Sequence, residues 1–364
     1  MQDLRKALTP EEKESIYRFR YRVFAEHLHR DDLDGLDRER QILTDEMDHV
    51  STHFYLGEPA APLAAVTVSP LHGEHVPPDL FDFLGVARLR QAVAAERIGF
   101  INWLLVDPAH AGSTAVPTLL SACYELLLQQ GIELMLTFCR PGLVSFYERL
   151  GLEQYSHATN LKGLGLRCPI MLVMRDGSRL RACRSPFLRI LLRNGGDERA
   201  DAVRLRIEPV IDLFQASQIL ANDDLWLESG AGFVERATPR LFDGIDEDSV
   251  RQIMKMASVI SCRSGEVMTR QGETSDDMFL IVSGVFDARR GGDGRVRRLV
   301  EGDLFGEIEH LSGTARTETI TATADGHVAA LKAERLFQWM QKNPEPGVRL
   351  ATNLARLLAG RLSE

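Results

Sequence analysis

The chain is poor in cysteine, and its cysteines follow no recognisable spacing. There are five, an odd number, and none are arranged as C-x-x-C. This excludes a disulfide framework and the common zinc-ligand patterns, because both need cysteines in defined pairs. We therefore expect no metal site, and a cytoplasmic location in a reducing environment.

Long apolar runs are also missing. No uncharged apolar stretch approaches the ~20 residues that span a bilayer, and the N-terminal sequence MQDLRKALTPEEKES lacks the apolar centre of a signal peptide. We therefore expect no transmembrane segment.

Positive charge is in deficit as well, since the net charge is −9, which disfavours broad nucleic-acid binding. Because no helix-turn-helix pattern follows before Glu364, we expect no nucleic-acid partner.

What is present is ordinary globular sequence of the α+β class. The 364 residues are 44% hydrophobic and 26% charged, which is typical of soluble domains. This length predicts two domains and a connector. The motifs described below place a first domain at residues 1–176, a helical connector at 177–238 and a second domain at 239–364.

The segment LVEGDLFGEIEHLSGTARTET, from Leu299 to Thr319, contains the elements of an anion-binding loop. It predicts a strand, a Gly-Asp turn, a short helix and then Arg316 before the next strand. Backbone N–H groups at a helix start bind anions where glycine permits close approach. An arginine pairs with phosphate through two parallel hydrogen bonds, and a carboxylate accepts from sugar hydroxyls. The arrangement therefore favours a ligand with one phosphate and one ribose.

This segment resembles the cyclic nucleotide-binding domain of bacterial regulators and cyclic-nucleotide-dependent kinases. The shared pattern is Gly-Asp-x-Phe-Gly-Glu, then a short helix, then an arginine. The stretches Ser264–Val267, Gln271–Glu273 and Met278–Gly284 match the opening strands of that domain. The resemblance covers residues 239–364 and implies a β-roll with flanking helices.

The resemblance also implies roles for single residues. Glu307 would hold the ribose 2′-hydroxyl, and Arg316 would hold the cyclic phosphate together with the backbone of Gly306 and Ile308. Thr317 would complete this ligand-binding set. The expected effector is a cyclic nucleotide, with cyclic AMP favoured over cyclic GMP.

Two acidic residues depart from the pattern of that family. Glu309 and Glu318 stand where small residues usually lie next to the phosphate. A carboxylate near a bound phosphate repels it, although His310 can offset one charge. A structural β-roll without a ligand is therefore the alternative interpretation.

The first half of the chain predicts a mixed sheet flanked by helices. A helix start is indicated by Thr9, Pro10 and two glutamates, and apolar positions recur at helical spacing to Leu28. Strands are predicted at 52–56, 64–68, 100–106, 134–138 and 170–174, with helices after Gly112 and at 145–152. This order resembles the GNAT superfamily of N-acyltransferases.

Two short motifs narrow the resemblance. FRYRVF at Phe19–Phe24 and DEMD at Asp45–Asp48 resemble the opening motif and the acidic box of acyl-homoserine lactone synthases and N-acyl amino acid synthases. The resemblance covers residues 10–176. It implies transfer of an acyl group from a thioester, on coenzyme A or on acyl carrier protein, to a small-molecule amine.

By the same resemblance, the backbone of Leu105 and Val106 would bind the acyl carbonyl and the cofactor arm. The turn at Gly112, Ser113 and Thr114 would bind pyrophosphate through N–H groups and the helix dipole. Since the position usually held by a basic residue is Ala109, the case for coenzyme A is weakened and an acyl carrier protein is left as a candidate partner.

Four side chains are candidates for the catalytic centre. Tyr147 matches the tyrosine that protonates the thiolate, and its alternative is an aromatic that packs on the sheet. Asp45, Asp48 and Arg20 match the acidic box and its arginine, and their alternative is an ion-pair network. The lactone synthases carry a Glu-x-x-Arg pair where this chain has Phe100 and Trp103. Acylation of an amine other than a lactone precursor is therefore favoured.

The connector predicts two helices. One, at 185–193, is basic and apolar, and either packs against a domain or makes a weak contact with a membrane surface. The other is predicted at 207–221. Domains of this second class often pair through their C-terminal helix, so a homodimer is an expected assembly.

The sequence therefore leaves two alternative functions open. The first is an N-acyltransferase regulated by a cyclic nucleotide. The alternative is a non-catalytic sensor or scaffold for acyl chains and nucleotides, motivated by the altered phosphate loop and the missing Glu-x-x-Arg pair.

Overall fold

The computed structural model describes residues 4–27, 33–73, 75–110, 112–161, 164–196, 200–211, 240–273, 275, 277–291, 296–312 and 314–362. The side chains of residues 200, 309–311 and 361–362 are outside this description. The chain forms two compact units. The first consists of Met1–Phe138, Glu148–Glu153 and Pro169–Ile211, and the second of Cys139–Tyr147, Gln154–Cys168 and Asp212–Glu364. The domain boundaries proposed from the sequence stay a prediction.

The N-terminal half of the chain contains the strands of a mixed sheet. They are β1 (Leu4–Lys6), β2 (Leu36–Asp37), β3 (Ile42–Leu43), β4 (Thr52–Glu58), β5 (Ala61–Pro70), β6 (Ile98–Val106), β7 (Leu134–Cys139), β8 (Glu153–Gln154), β9 (Thr159–Leu161) and β10 (Gly165–Val173). The strand order is β1-β4-β5-β6-β7-β10-β8, with β9 paired to β10. β2 and β3 form a separate small hairpin. The mixed sheet expected from the sequence is confirmed.

Helices accompany these strands. The α-helices are α1 (Pro10–Tyr21), α2 (Pro78–Phe83), α3 (Val86–Leu89), α4 (Ala115–Gln129), α5 (Val144–Leu150), α6 (Gly177–Ala182), α7 (Phe187–Arg193) and α8 (Ala200–Ile207). A π-helix continues α1 over Arg22–His27, and 3-10 turns lie at Ala95–Arg97, Pro108–His110, Pro141–Leu143 and Glu208–Val210. α4 connects β6 to β7, which pair in parallel, as parallel neighbours require a crossover.

The predicted start of α1 is confirmed in detail. The Thr9 hydroxyl accepts a hydrogen bond from the Glu12 N–H, and the Glu12 carboxylate accepts one from the Thr9 N–H. Such a capping box stabilises a helix by about 1 kcal/mol. The apolar face of α1 then packs on the sheet through Ile16 and Phe19, each 1% exposed.

The helix predicted at 207–221 is wrong at its beginning. The structure has α8 end at Ile207, followed by a 3-10 turn at Glu208–Val210 and an extended backbone at Ile211. Pro209 explains the difference, because proline lacks an N–H and disfavours helical backbone in the residue before it. The rest of that prediction, residues 212–221, lies outside the described residues.

The C-terminal half contains a β-roll of two four-stranded sheets. Its strands are β11 (Ser258–Cys262), β12 (Val267–Thr269), β13 (Asp277–Ser283), β14 (Phe286–Arg289), β15 (Val296–Leu299), β16 (Leu304–Phe305), β17 (Thr319–Ala322) and β18 (Gly326–Lys332). The sheet orders are β11-β18-β13-β16 and β12-β17-β14-β15. The predicted β-roll is confirmed, but residues 264–266 and 271–273 form turns rather than strands.

Among the described residues, four helices flank the roll, after a 3-10 turn at Arg240–Phe242. They are α9 (Glu247–Met256), α10 (Glu307–Ser312), α11 (Ala333–Lys342) and α12 (Pro344–Leu362). Asn343 caps the end of α11, and Pro344 serves as the first residue of α12. α9, α11 and α12 contribute Ile253, Leu336 and Leu350 to one core with the inner strands. Within the described ranges, no helix combines the length and apolarity that a membrane crossing requires.

Candidate functional site

The residues predicted to bind a nucleotide lie together in the second unit. Gly306, Glu307, Ile308 and Arg316 line one small pocket. The other described residues around it are Thr269, Phe305, Glu318 and Ile320. The space between them is about 10 Å³, roughly the room of one water molecule. The pocket is therefore closed in this conformation.

Arg316 is held by backbone carbonyl groups. Its side chain is buried, at 3% exposed. Nη1 donates to the carbonyl of Gly306 at 2.9 Å, and Nη2 donates to the carbonyl of Asp277 at 2.6 Å. These contacts orient the plane of the guanidinium in this conformation.

Gly306 supplies the close approach that the sequence predicted. Its φ of +85° lies in the left-handed region, which glycine adopts without strain. A Cβ at this position would overlap Nη1 of Arg316 and lie 2.8 Å from the carbonyl oxygen of Asp277. A glycine is therefore required for Arg316 to lie where it does. Glu307 follows at the start of α10 and is 1% exposed.

Of the two acidic residues that depart from the family pattern, Glu318 has an arginine as its partner. Glu318 lines the pocket, but its carboxylate accepts from Nη2 of Arg297 at 2.7 Å. This ion pair balances the charge that would oppose a phosphate. The side chains of Glu309 and His310 lie outside the described residues.

One predicted residue is not brought to the pocket, and several lining residues were not predicted. Thr317 is half-buried but is not among the described residues that line the space. Thr269, Phe305 and Ile320 were missed as lining residues. Alternation along β12 and β17 is the signal that could have found Thr269 and Ile320, because residues two apart on a strand share a face.

A second group of polar side chains lies in the first unit, around Arg20. The guanidinium is fully buried and pairs with both oxygens of Asp48, at 2.7 and 2.9 Å. Its Nη2 also donates to the Thr67 hydroxyl at 2.8 Å. Thr67 in turn lies 3.0 Å from Nδ1 of His53. Thr67 therefore links Arg20 to His53 through its hydroxyl.

Burial determines the charge of His53. Its side chain is fully buried, and burial together with the nearby Arg20 lowers the pKa of His53 from 6.5 to about 4, although Asp48 acts in the opposite direction. The imidazole is therefore neutral at neutral pH. The predicted set of Arg20, Asp45 and Asp48 gains two members, His53 and Thr67, that sequence reasoning missed.

Trp103 joins this cluster through a strained backbone. Its φ is +50°, unusual for a bulky residue. The register between β5 and β6 shifts at this point, so that β6 carries one extra residue, which is a β-bulge. The indole N–H donates to Asp45 at 2.9 Å, and the ring lies 4.8 Å from the Arg20 guanidinium. Trp103, which departs from the lactone-synthase pattern, thus contacts Asp45 and Arg20, which were predicted from it.

The residues predicted to bind the acyl group lie at the end of β6, and those predicted to bind pyrophosphate lie in the turn before α4. Leu105 and Val106 are half-buried at the end of β6, where they pair with Ala65 and Ala64. The Gly112–Thr114 turn is exposed and precedes α4. Gly112 has a φ of +78°, and the Ser113 hydroxyl accepts from the Ala115 N–H at 3.3 Å.

Tyr147 lies in α5, in the segment that belongs to the second unit. Its side chain is 7% exposed, and burial raises the pKa of Tyr147 above its ordinary value. The ring meets Phe146 edge to face, with centroids 5.2 Å apart. A protonated, buried phenol of this kind fits either an acid that acts in a closed site or an aromatic in a core.

The model of the cyclic nucleotide-binding domain family matches residues 259–343. Among curated proteins, a Pycsar effector protein of Burkholderia cepacia is 30% identical over 35% of this chain and 42% of its own length. A CRP-like cAMP-activated global transcriptional regulator of Mycobacterium tuberculosis is 27% identical over 34% of this chain and 54% of its own length. This chain therefore spans about half of the relatives it matches.

A solved structure of a CoA-dependent acyl-homoserine lactone synthase also aligns with this chain. The alignment covers 57% of this chain and 99% of that one, with 15% sequence identity and a TM-score of 0.42. The family match and the curated relatives instead concern the C-terminal half of the chain. That half carries a cyclic nucleotide-binding domain.

Proposed function

We propose that this protein is an N-acyltransferase whose activity is controlled by a cyclic nucleotide. The observation that carries the proposal is the convergence of Arg316, Glu307 and Gly306 on one pocket within the matched domain. The proposed organisation is an acyltransferase domain at 1–176, a helical connector at 177–238 and the nucleotide-binding domain at 239–364. The proposed acyl donor is a thioester, and the acceptor is a small-molecule amine.

The nucleotide would be held through its phosphate and its ribose. Arg316 would form two parallel charge-assisted hydrogen bonds with the cyclic phosphate, and Glu307 would accept from the 2′-hydroxyl. The described residues leave about 10 Å³ between them, so the proposal includes an outward movement of the lining segment that produces an open form. A ligand that binds only the open form shifts the population towards it, which is what an effector must do.

The composition of the second unit supports coupling to the acyl half. This unit contains Cys139–Tyr147 and Gln154–Cys168 in addition to the nucleotide pocket. Gly142 packs directly against the Asp277 side chain, and the Asp277 carbonyl is the acceptor for Arg316. Movement of Arg316 towards a phosphate would therefore act on a segment that ends at Tyr147.

The acyl half of the proposal rests on the motif resemblance and on the Arg20 cluster. In the reaction, the amine nitrogen attacks the thioester carbonyl, the C–S bond breaks, the amine loses a proton and the thiolate gains one. The bulge at Trp103 separates β5 from β6 locally, next to Leu105 and Val106. Bulges are common next to active sites, and the residues without a register partner here are Trp103 and Leu104, which directly precede Leu105.

The test is product formation by the full chain. Purified protein would be incubated with acyl-CoA or acyl carrier protein thioesters and a panel of amino acids and amines, with and without cyclic nucleotides, and N-acyl products would be detected by mass spectrometry. We expect product with at least one donor and a change in rate when nucleotide is added. Arg316→Lys should remove the nucleotide response and leave the basal rate, because lysine cannot reproduce the bidentate geometry. Equal rates with and without nucleotide would eliminate the regulatory half.

A non-catalytic sensor is the second candidate, and a specific observation favours it. Both oxygens of Asp48 are engaged by Arg20, and Asp45 accepts from Trp103 and from the Met47 N–H. Carboxylates occupied in this way do not present themselves to an amine. Absence of product from every donor and amine, together with retained nucleotide binding, would favour this function.

A further inference from the structure

We infer that the nucleotide pocket selects guanine, and that the ion pair of Arg297 and Glu318 reads the base. The inference rests on the proposed binding of a cyclic nucleotide at Arg316 and adds the identity of its base. It replaces the expectation, taken from the sequence, that cyclic AMP is the favoured effector.

Of the ion pair, Glu318 lines the pocket, and the register of the outer sheet places Arg297 on the face of the sheet that Ile320 turns to the pocket. Arg297 on β15, Ala288 on β14 and Ile320 on β17 lie directly opposite one another, so their side chains share one face of the sheet. Ala288 and Ile320 are 1% and 2% exposed, and Ile320 lines the pocket. Arg297 therefore extends from the inner face, whereas most arginines on such strands face solvent.

Glu318 reaches the same face. It lies two residues before Ile320 and lines the pocket itself. Its carboxylate meets Arg297 at 2.7 Å, and the side chains of Arg297 and Glu318 are 28% and 23% exposed. A carboxylate that lines the same pocket as Arg316 is thus paired with an arginine, and the small side chain of Ala288 lies opposite that arginine on the neighbouring strand.

Guanine matches this pair on one edge. Its O6 is an acceptor for an arginine, and arginine to guanine is the most common specific contact between a side chain and a base. The adjacent N1–H and N2–H₂ groups are donors for a carboxylate. The guanidinium and the carboxylate can therefore exchange part of their mutual contact for hydrogen bonds to the base, and neither charge is left unpaired.

The other bases mismatch the pair. Adenine places N6–H₂ donors where the guanidinium needs an acceptor, and a bare N1 lone pair where the carboxylate needs a donor. Cytosine has the same reversed order. Uracil offers O4 and N3–H but carries a carbonyl where guanine has N2–H₂. Unpaired polar groups in a closed site cost affinity, so discrimination arises from the mismatches as well as from the match.

The experiment is calorimetric titration of the full chain with the 3′,5′-cyclic monophosphates of guanosine, inosine, adenosine, uridine and cytidine. We expect cyclic GMP to bind about 10- to 100-fold more tightly than cyclic AMP. Cyclic IMP lacks only the N2 amino group, so it should bind about 10-fold more weakly than cyclic GMP. The cyclic UMP arm tests whether a pyrimidine can use the same pair.

Variants assign the preference to the ion pair. Glu318→Gln and Arg297→Ala should bring the ratio of cyclic GMP to cyclic AMP affinity close to one. The matched control is Arg298→Ala, since Arg298 is the next residue on β15, faces outward at 71% exposed and lies 3.7 Å from Asp287. It should leave the ratio unchanged. Both affinities are measured on the same preparation of a variant. Their ratio therefore does not depend on how much of that protein is folded.

The outcomes separate this inference from the proposed function. If cyclic nucleotides bind but cyclic AMP or a pyrimidine nucleotide binds as tightly as cyclic GMP, the guanine inference is overturned and the nucleotide sensor stands. The same holds if Glu318→Gln keeps the wild-type ratio. If none of the five nucleotides binds, the effector half of the proposed function fails and the inference fails with it.

Discussion

Arg316 donates a 2.6 Å hydrogen bond to the backbone carbonyl of Asp277, a residue 39 positions earlier in the chain. Asp277 begins β13, and its side chain packs against Gly142. One residue therefore links the arginine proposed to bind phosphate with the Pro141–Leu143 turn that precedes α5. A substitution at any of these positions should displace the others, because close-packed interiors transmit strain.

Gly306→Ala should abolish nucleotide binding and destabilise the protein. The added methyl group would overlap Nη1 of Arg316, and the φ of +85° is strained for alanine. We expect a loss of about 1–3 kcal/mol in the free energy of unfolding and no measurable heat in a nucleotide titration.

The control for Gly306 is Gly265→Ala. Gly265 has a similar φ, +91°, with nothing within 4 Å of a Cβ. It should show the backbone strain alone and keep nucleotide binding. Equal nucleotide affinity in the two variants would contradict the role given to the close approach at Gly306.

Gly142→Ala should weaken nucleotide binding although Gly142 does not line the pocket. Its Cβ would overlap Oδ1 of Asp277 and lie 3.3 Å from the Lys332 N–H, which displaces the residue that holds Arg316. We expect about a 5-fold or greater loss of affinity, the lower end of typical couplings between sites. Gly360→Ala is the control, because a Cβ there meets nothing within 4 Å. Unchanged affinity in Gly142→Ala would remove the proposed coupling route.

Asp48→Asn should destabilise the first unit by about 3–5 kcal/mol, because it leaves the buried charge of Arg20 without a counter-ion. Both Arg20 nitrogens lose a charged acceptor. Urea denaturation measures the change. Glu14→Gln is the matched control: it breaks the 2.8 Å pair with Arg18, which is 55% exposed, and should change stability by less than about 1 kcal/mol. A similar small change for Asp48→Asn would show that the Arg20 pair is not a stabilising interaction.

The lowered pKa of His53 predicts that the free energy of unfolding depends on pH. Its pKa in the folded protein is about 4, below the ordinary 6.5, so the unfolded chain binds more protons between those values. The contribution of His53 is complete above pH 6.5 and is lost as the pH falls to 4. The shift corresponds to about 3 kcal/mol over this window.

The measurement is the free energy of unfolding from pH 4 to pH 7 in wild type and in His53→Asn. The difference between the two curves isolates His53 from carboxylates that titrate in the same range. His49→Gln, at an exposed position, should keep the wild-type slope. If His53→Asn also keeps that slope, the neutral buried state of His53 is disproved.

The shortest strands in the N-terminal half of the chain could not be predicted from the sequence. β1, β8 and β9 have two or three residues each, and the β2–β3 hairpin has two residues in each strand. Strands of this length carry no detectable alternation, and they exist because a distant strand offers hydrogen bonds. The bulge at Trp103 is similar, since the contacts of its side chain with Asp45, Arg20 and Phe24 come from residues distant in sequence.

By itself, the sequence determined the features that depend on neighbouring residues: the capping box at Thr9, the long strands and α4, and the Gly-Asp-x-Phe-Gly-Glu segment that leads to Arg316. Local spacing and backbone preference suffice for these. Only the tertiary structure decided that Asp48 pairs with Arg20, that Tyr147 is buried, and that Glu318 faces Arg297 rather than a phosphate. Those partners lie 21 to 28 positions apart along the chain, and burial and charge balance, rather than sequence spacing, select them.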